Sequence, residues 1–116
     1  MARPKRDTLV RGTLDMLILR TLQRNPAHGH DIAKQIQRTT DDVLQVEHGS
    51  LYPALHRLVR KDLIASAWER DAVRNREFKF YRLTARGRRQ LAIEERQWRR
   101  LTRAIGQVMW PSEAER

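Results

Sequence analysis

From Thr13 onward, apolar residues recur at Leu14, Leu17, Ile18 and Leu22, the alternating three-and-four spacing of one helix face. Thr13 is placed to cap that helix. Asn25-Pro26 closes it, because the residue before a proline is driven out of the helical region. Gly29 to Arg38 predicts a short second helix with Ile32, Ala33 and Ile36 inward, and residues 39–48 read as a connector that Val43, Leu44 and Val46 anchor. A third helix is expected from Gly49 or Ser50 to Arg60. Its buried stripe is Leu51, Ala54, Leu55 and Leu58, and Pro53 falls in the first turn, where a missing N–H is harmless. Then the period changes. Leu63 to Glu69 reads as a strand, Arg70 to Arg76 as a loop, and Glu77 to Leu83 as a second strand rich in aromatics, together a hairpin. A long helix follows from Ala85 to Trp110, capped by Thr84 and stopped by Pro111.

Along that last helix Leu91, Trp98, Leu101, Ile105 and Val108 form a narrow apolar seam, with Glu94 in one otherwise apolar place. The only other long helix in the chain is the first, so the seam predicts a two-fold homodimer. Three helices followed by a hairpin give a mainly α, α+β fold: a winged helix-turn-helix over residues 1–83, then a C-terminal dimerisation helix over 84–116.

Composition supports a small partnered domain. At 116 residues, 40% apolar and 33% charged, the chain is poor in core formers and too short for an enzyme with an interdomain cleft. Without cysteine, disulfide scaffolds, thiolate metal sites and thiol nucleophiles are excluded, and a reducing cytoplasm suits that absence. There is no apolar run of about 18 residues to span a membrane. The basic start resembles a signal n-region, but Asp15 and Arg20 interrupt the apolar stretch and no small-residue cleavage site follows, so no secretion signal is read.

The net charge of +10 calls for a polyanion. Residues 57–89 hold 11 basic and 4 acidic side chains, while 1–56 hold 8 and 6 and 90–116 hold 5 and 4. So localised a block favours a docking surface over a solubilising one. Twenty of the 24 basic residues are Arg, whose planar fork suits phosphate and guanine edges.

The candidate chemistry is double-stranded DNA binding. The third helix would enter the major groove with Ser50 and Tyr52 near its start and His56, Arg57 and Arg60 beyond, while Arg74, Asn75 and Arg76 crowd the wing tip with Lys79 behind them. Ser50 lies near His48 and His56, but no nucleophile turn, orienting carboxylate or phosphate-cradling glycine loop accompanies them, so no enzyme is read. His28-x-His30 without thiolates favours a capping or phosphate-facing role over a metal site, and no cofactor is implied. Glu95 and Arg99 are spaced for an ordinary helix pair.

Gly12-Thr13-Leu14, Ala27-His28-Gly29, the run Gly49 to Leu58 centred on Ser50-Leu51-Tyr52-Pro53, and Tyr81-Arg82-Leu83-Thr84 with Gly87 resemble the PadR family of bacterial transcriptional regulators, over roughly residues 9 to 103. The resemblance implies a homodimeric winged-helix repressor of the short subfamily with one C-terminal helix. It carries Ser50 and Tyr52 over as DNA-contacting positions. Where the family usually has Tyr after His-Gly, often near the DNA backbone, this chain has His30. Drug-binding relatives suggest an aromatic slot at the dimer interface, here Trp98 with Trp110, for a small hydrophobic or aromatic effector. A two-fold dimer implies a pseudo-palindromic operator. Two alternatives remain open: a weakly specific architectural DNA-binding dimer, and a small-molecule sensor or adaptor acting through a protein partner. A membrane-surface role suits a broad apolar face, which the last helix lacks.

Overall fold

In the computed structural model, which describes residues 6–114 and the side chains of 12–112, the first helix begins well before Thr13. Helix α1 spans Arg6–Arg24, so Thr13 lies within it and caps nothing. No proline stands between Arg6 and Thr13 to break the ladder. Leu14, Ile18, Leu19 and Leu22 are buried, whereas Leu17 is only partly so. Each fully buried aliphatic side chain contributes about 1.5–3 kcal/mol.

After Asn25-Pro26 the chain forms a strand that the apolar pattern did not signal. Strand β1, Ala27–His28, pairs antiparallel with the later strand β3 (Arg76–Leu83), Ala27 opposite Tyr81 and His28 opposite Phe80. His28 then becomes the N-cap of α2 (Gly29–Thr39), its Nδ1 lying 3.3 Å from the Asp31 N–H. Ile32, Ala33 and Ile36 face inward as expected. In the connector, Leu44 and Val46 pack against the core, but Val43 is exposed and anchors nothing.

Helix α3 covers His48–Arg60 with Glu47 at its N-cap, a start that makes Pro53 its sixth residue, not a first-turn one. Pro53 therefore removes a helical hydrogen bond, and the Gly49 carbonyl receives none from it. The helix ends in a Schellman motif. Leu63 N–H donates to Leu58 O at 3.0 Å and Asp62 N–H to Val59 O at 3.0 Å, with Asp62 left-handed at φ 62°. Strands β2 (Ile64–Asp71) and β3 (Arg76–Leu83) form the hairpin, and β3 is central in the order β1-β3-β2.

Helix α4 spans Ala85–Met109, and Pro111 both ends it and opens a one-turn α5, Pro111–Ala114. Thr84 caps α4 as expected, its hydroxyl accepting from Gly87 N–H at 2.9 Å. Leu91 is buried in the core of its own domain, beside α1, and so does not belong to a seam for a second copy. Beyond it α4 projects outward. The radius of gyration, 16.4 Å, reflects that arm, since about 13 Å is usual for a chain near this length. Along it Trp98, Leu101, Ile105 and Val108 are exposed, with Ile93, Met109 and Trp110. Glu94 turns toward the domain, receiving Gln90 Nε2 at 3.3 Å, and the Glu95–Arg99 pair forms at 2.9 Å.

Candidate nucleic-acid interface

The exposed ridge of α3 is set by its buried stripe. With Leu51, Ala54, Leu55 and Leu58 turned to the core, His48, Tyr52, Pro53, His56 and Arg60 face outward. Ser50 is half-buried at the helix start. Arg57 departs from this ridge. Its guanidinium donates to Asp15 Oδ1 on α1 at 2.9 Å, with side-chain exposures of only 21% and 15%. The expected trio His56, Arg57 and Arg60 is thus divided: His56 and Arg60 are exposed, whereas the bond to Asp15 draws the Arg57 side chain down against α1.

Tyr52 both packs and faces out. A β-carbon at Gly29 would lie 3.0 Å from its Cε1, so the absent side chain there leaves room for the ring. The His48 ring meets Tyr52 edge-on at 5.6 Å, and His30 meets His48 edge-on at 5.8 Å. His30 stacks parallel to His28 at 6.4 Å, and His28 stacks on Phe78 of β3 at 5.0 Å. One ladder of rings therefore joins the start of α3, the start of α2 and the wing. It places His30 on the same surface as Tyr52. Sequence reading missed His48 and Phe78 as members; the signal, β1 pairing with β3, is long-range and only two residues long.

At the wing tip, Asp71 Oδ1 accepts from Val73 N–H at 2.9 Å and Arg74 N–H at 3.2 Å, closing the turn. Asn75 takes the left-handed position at φ 53°, and its Oδ1 accepts from Arg70, so this side chain shapes the turn. Arg74 and Arg76 stand over the Phe78 ring at 5.5 and 5.1 Å. Lys79 is elsewhere. It lies opposite Trp68 and alternates onto the sheet face of Tyr81, away from Phe78 and the two arginines.

His28 is the buried hinge of this surface. Its Nε2 is 2.7 Å from Arg74 Nη1 and 2.9 Å from Asp31 Oδ2. Burial holds its pKa below the ordinary 6.5, opposed by Asp31 and reinforced by Arg74 and His30. Among the described residues, no group of three His, Asp or Glu is arranged to hold a metal ion.

A helix ridge carrying Tyr52, two histidines and Arg60, set beside a cationic hairpin tip, is a surface for DNA backbone and groove edges. The family model described as "Transcriptional regulator PadR-like family" matches residues 18–93. A PadR family transcription regulator from Clostridium difficile R20291 is 30% identical, covering 84% of this chain and 99% of that one with a TM-score of 0.74. A PadR family regulator from Eggerthella lenta DSM 2243 is 36% identical, covering 89% and 87% with a TM-score of 0.72. An uncharacterized protein of Lysinibacillus sphaericus is 29% identical over 104 residues, 90% of this chain and 94% of that one. With most of its helix-wing unit matched by the family model, the chain belongs to the PadR-like family of DNA-binding transcriptional regulators.

Proposed function

We propose that the protein is a homodimeric, sequence-specific repressor. Residues 1–83 hold the DNA, and residues 84–116 form the dimer arm, with the first turns of α4 also completing the domain core. Two α3 helices enter successive major grooves of a pseudo-palindromic operator with half-sites ~34–36 Å apart. Ser50, Tyr52, His56 and Arg60 meet bases and phosphates there, His30 lies at the backbone, and Arg74 and Arg76 meet phosphates or the minor groove. Occupied promoter DNA is closed to polymerase, which is the repressing step. Such an operator lies in the bacterial cytoplasm. Among the described residues no helix is long and apolar enough to cross a membrane.

The observation that carries this reading is the exposed stripe Trp98, Leu101, Ile105 and Val108 on a projecting helix. Apolar residues in a contiguous stripe call for a covering surface, and a two-fold copy supplies the same stripe in return. In this reading the effector is a small hydrophobic or aromatic molecule held beside Trp98. Bound between protomers, it would release DNA by favouring one relative pose of the two wings.

Sedimentation and DNA titration test the reading together. The wild type should be a dimer, and Trp98→Asp a folded monomer with most of its affinity for a library-selected duplex lost. A monomer that binds as tightly as wild type refutes the dimer mechanism. Equal affinity for selected and scrambled duplexes at every salt concentration would instead identify a weakly specific architectural protein.

A further inference from the structure

Two groups converge on one nitrogen of a buried histidine, and a third meets the other. His28 Nε2 faces Arg74 Nη1 at 2.7 Å and Asp31 Oδ2 at 2.9 Å, while its Nδ1 faces the Asp31 N–H at 3.3 Å. A neutral imidazole has one N–H and one lone pair. It cannot accept at both nitrogens. If Nε2 accepts from Arg74, the ring proton sits on Nδ1 and the cap to Asp31 N–H is given up. If Nε2 carries a proton, it donates to the Asp31 carboxylate and confronts the Arg74 guanidinium donor to donor.

We propose that His28 is a positioning residue for the wing cation Arg74, holding it through Nε2 when the ring is neutral with its proton on Nδ1 and surrendering it to a DNA phosphate when Nε2 takes up a proton. The surroundings fit that exchange. On the α2 side, Asp31 waits to accept the new Nε2–H and His30 stacks parallel. On the wing side are Arg74 and Asp71, themselves 3.4 Å apart, and the neutral rings of Phe78 and Phe80. Arg76 lies beyond Phe78, and His48 of α3 beyond His30. An imidazolium repels Arg74 while attracting phosphate, so both consequences of proton uptake favour the DNA-bound wing. Burial disfavours the proton in the free protein, with Arg74 and His30 adding to that and Asp31 and Asp71 opposing it. A phosphate nearby supplies the missing counter-charge. DNA binding and proton binding at His28 therefore promote one another.

This inference rests on the wing's contacting DNA, and the test separates the two. Affinity for a library-selected duplex is measured between about pH 5 and 8, for wild type, His28→Asn, Arg74→Gln and the double variant. Asn keeps a cap acceptor but does not titrate. The wild type should gain about tenfold in affinity per engaged wing toward acid for each unit by which DNA raises the His28 pKa. Arg74→Gln should lose more affinity at the acid end than at the alkaline end. In the His28→Asn background that loss should become independent of pH. A loss from Arg74→Gln that is equal at both ends with His28 present overturns the latch and leaves the wing contact standing. No loss at either end removes the wing contact itself, and the latch with it. Nitrogen-15 spectra of the DNA-free wild type add a test without mutation. The His28 titration should move the Arg74 guanidinium resonance, and an Arg74 signal that ignores that titration refutes the proposal.

Discussion

Gly87→Ala tests the way α4 is seated on the domain. A β-carbon there would lie 2.0 Å from the Leu63 carbonyl oxygen and 2.7 Å from Leu83 Cδ1, while ordinary contact begins near 3.4 Å. The oxygen cannot simply yield. Leu63 O accepts from Thr84 N–H at 3.1 Å and from the Thr84 hydroxyl at 3.0 Å, and that hydroxyl also caps Gly87 N–H at 2.9 Å. For the methyl to fit, α4 must retreat by about 1 Å or more, straining the hydrogen bonds that join it to the α3–β2 turn. Overpacking costs about 1–3 kcal/mol, and two weakened hydrogen bonds about 1 kcal/mol each. Alanine's better helix propensity returns about 1 kcal/mol. The net loss of about 2–4 kcal/mol should lower Tm by roughly 8–32 °C, at about 4–8 °C per kcal/mol for a small domain. The assay is thermal unfolding at one fixed protomer concentration, because dissociation of a dimer also moves Tm. Gly12→Ala provides a matched control. Gly12 lies inside α1, and a β-carbon there meets nothing within 4 Å. The same chemical change should then stabilise by about 0.5–1 kcal/mol. A Gly87→Ala protein that melts at or above wild type refutes this account of the α4 seat.

Arg57→Ala should destabilise by about 1–2 kcal/mol in urea, since its partly buried bond to Asp15 is lost, while relative affinities across single-base operator variants stay as in wild type; altered preference at particular bases would put Arg57 in the groove instead. Arg76→Ala should weaken DNA binding and flatten the plot of log affinity against log salt by about 0.9 for each phosphate contact removed; an unchanged slope would place Arg76 off the backbone. In DNA-free protein, His28 has a folded-state pKa below its ordinary 6.5, so the unfolded chain binds protons first as pH falls. Its contribution to stability is complete above 6.5 and is lost as pH falls from there through the lower folded value. The Tm should decline over that window, and His28→Asn should reduce the decline; an undiminished decline would assign it to other groups.

The elements with local signals were legible in the sequence. Thr84 marked the start of α4, and the spacing of Leu51, Ala54, Leu55 and Leu58 marked the buried face of α3. The failures share a physical cause. Ala27-His28 is a strand only because β3, some fifty residues later, offers it a partner, and two residues have no readable period. Arg57 has the charge and helix position of a groove contact, yet Asp15, 42 residues away in the chain, takes it. Leu91 obeys the seam spacing of α4 but lies where α4 still covers α1, so periodicity alone could not divide the domain's own core from an outer stripe. Pro53 lies one or two residues further into its helix than expected, since α3 starts at His48 behind an N-cap, Glu47, that makes no side-chain hydrogen bond and so left no signal.

These long-range contacts also decide how much of the basic block is offered to a ligand. Formal charge counts Arg57, Arg74 and Arg82 alike, but each is paired in the free protein, with Asp15, Asp71 and Glu69. Exposure separates them. The Arg82–Glu69 pair is exposed at 56% and 46%, and Arg74 reaches Asp71 only at 3.4 Å. Such pairs are worth about 0–1 kcal/mol, so a phosphate can replace the carboxylate at little cost. The Arg57–Asp15 pair is shorter and mostly shielded, and breaking it would strand a partly buried charge. Arg57 therefore stays with the fold, whereas Arg74 and Arg82 are exchangeable. Arg60, Arg76, Arg86, Arg88 and Arg89 form no ion pair among the described residues and need no exchange. Burial, more than composition, thus selects which arginines of residues 57–89 make up the electrostatic footprint.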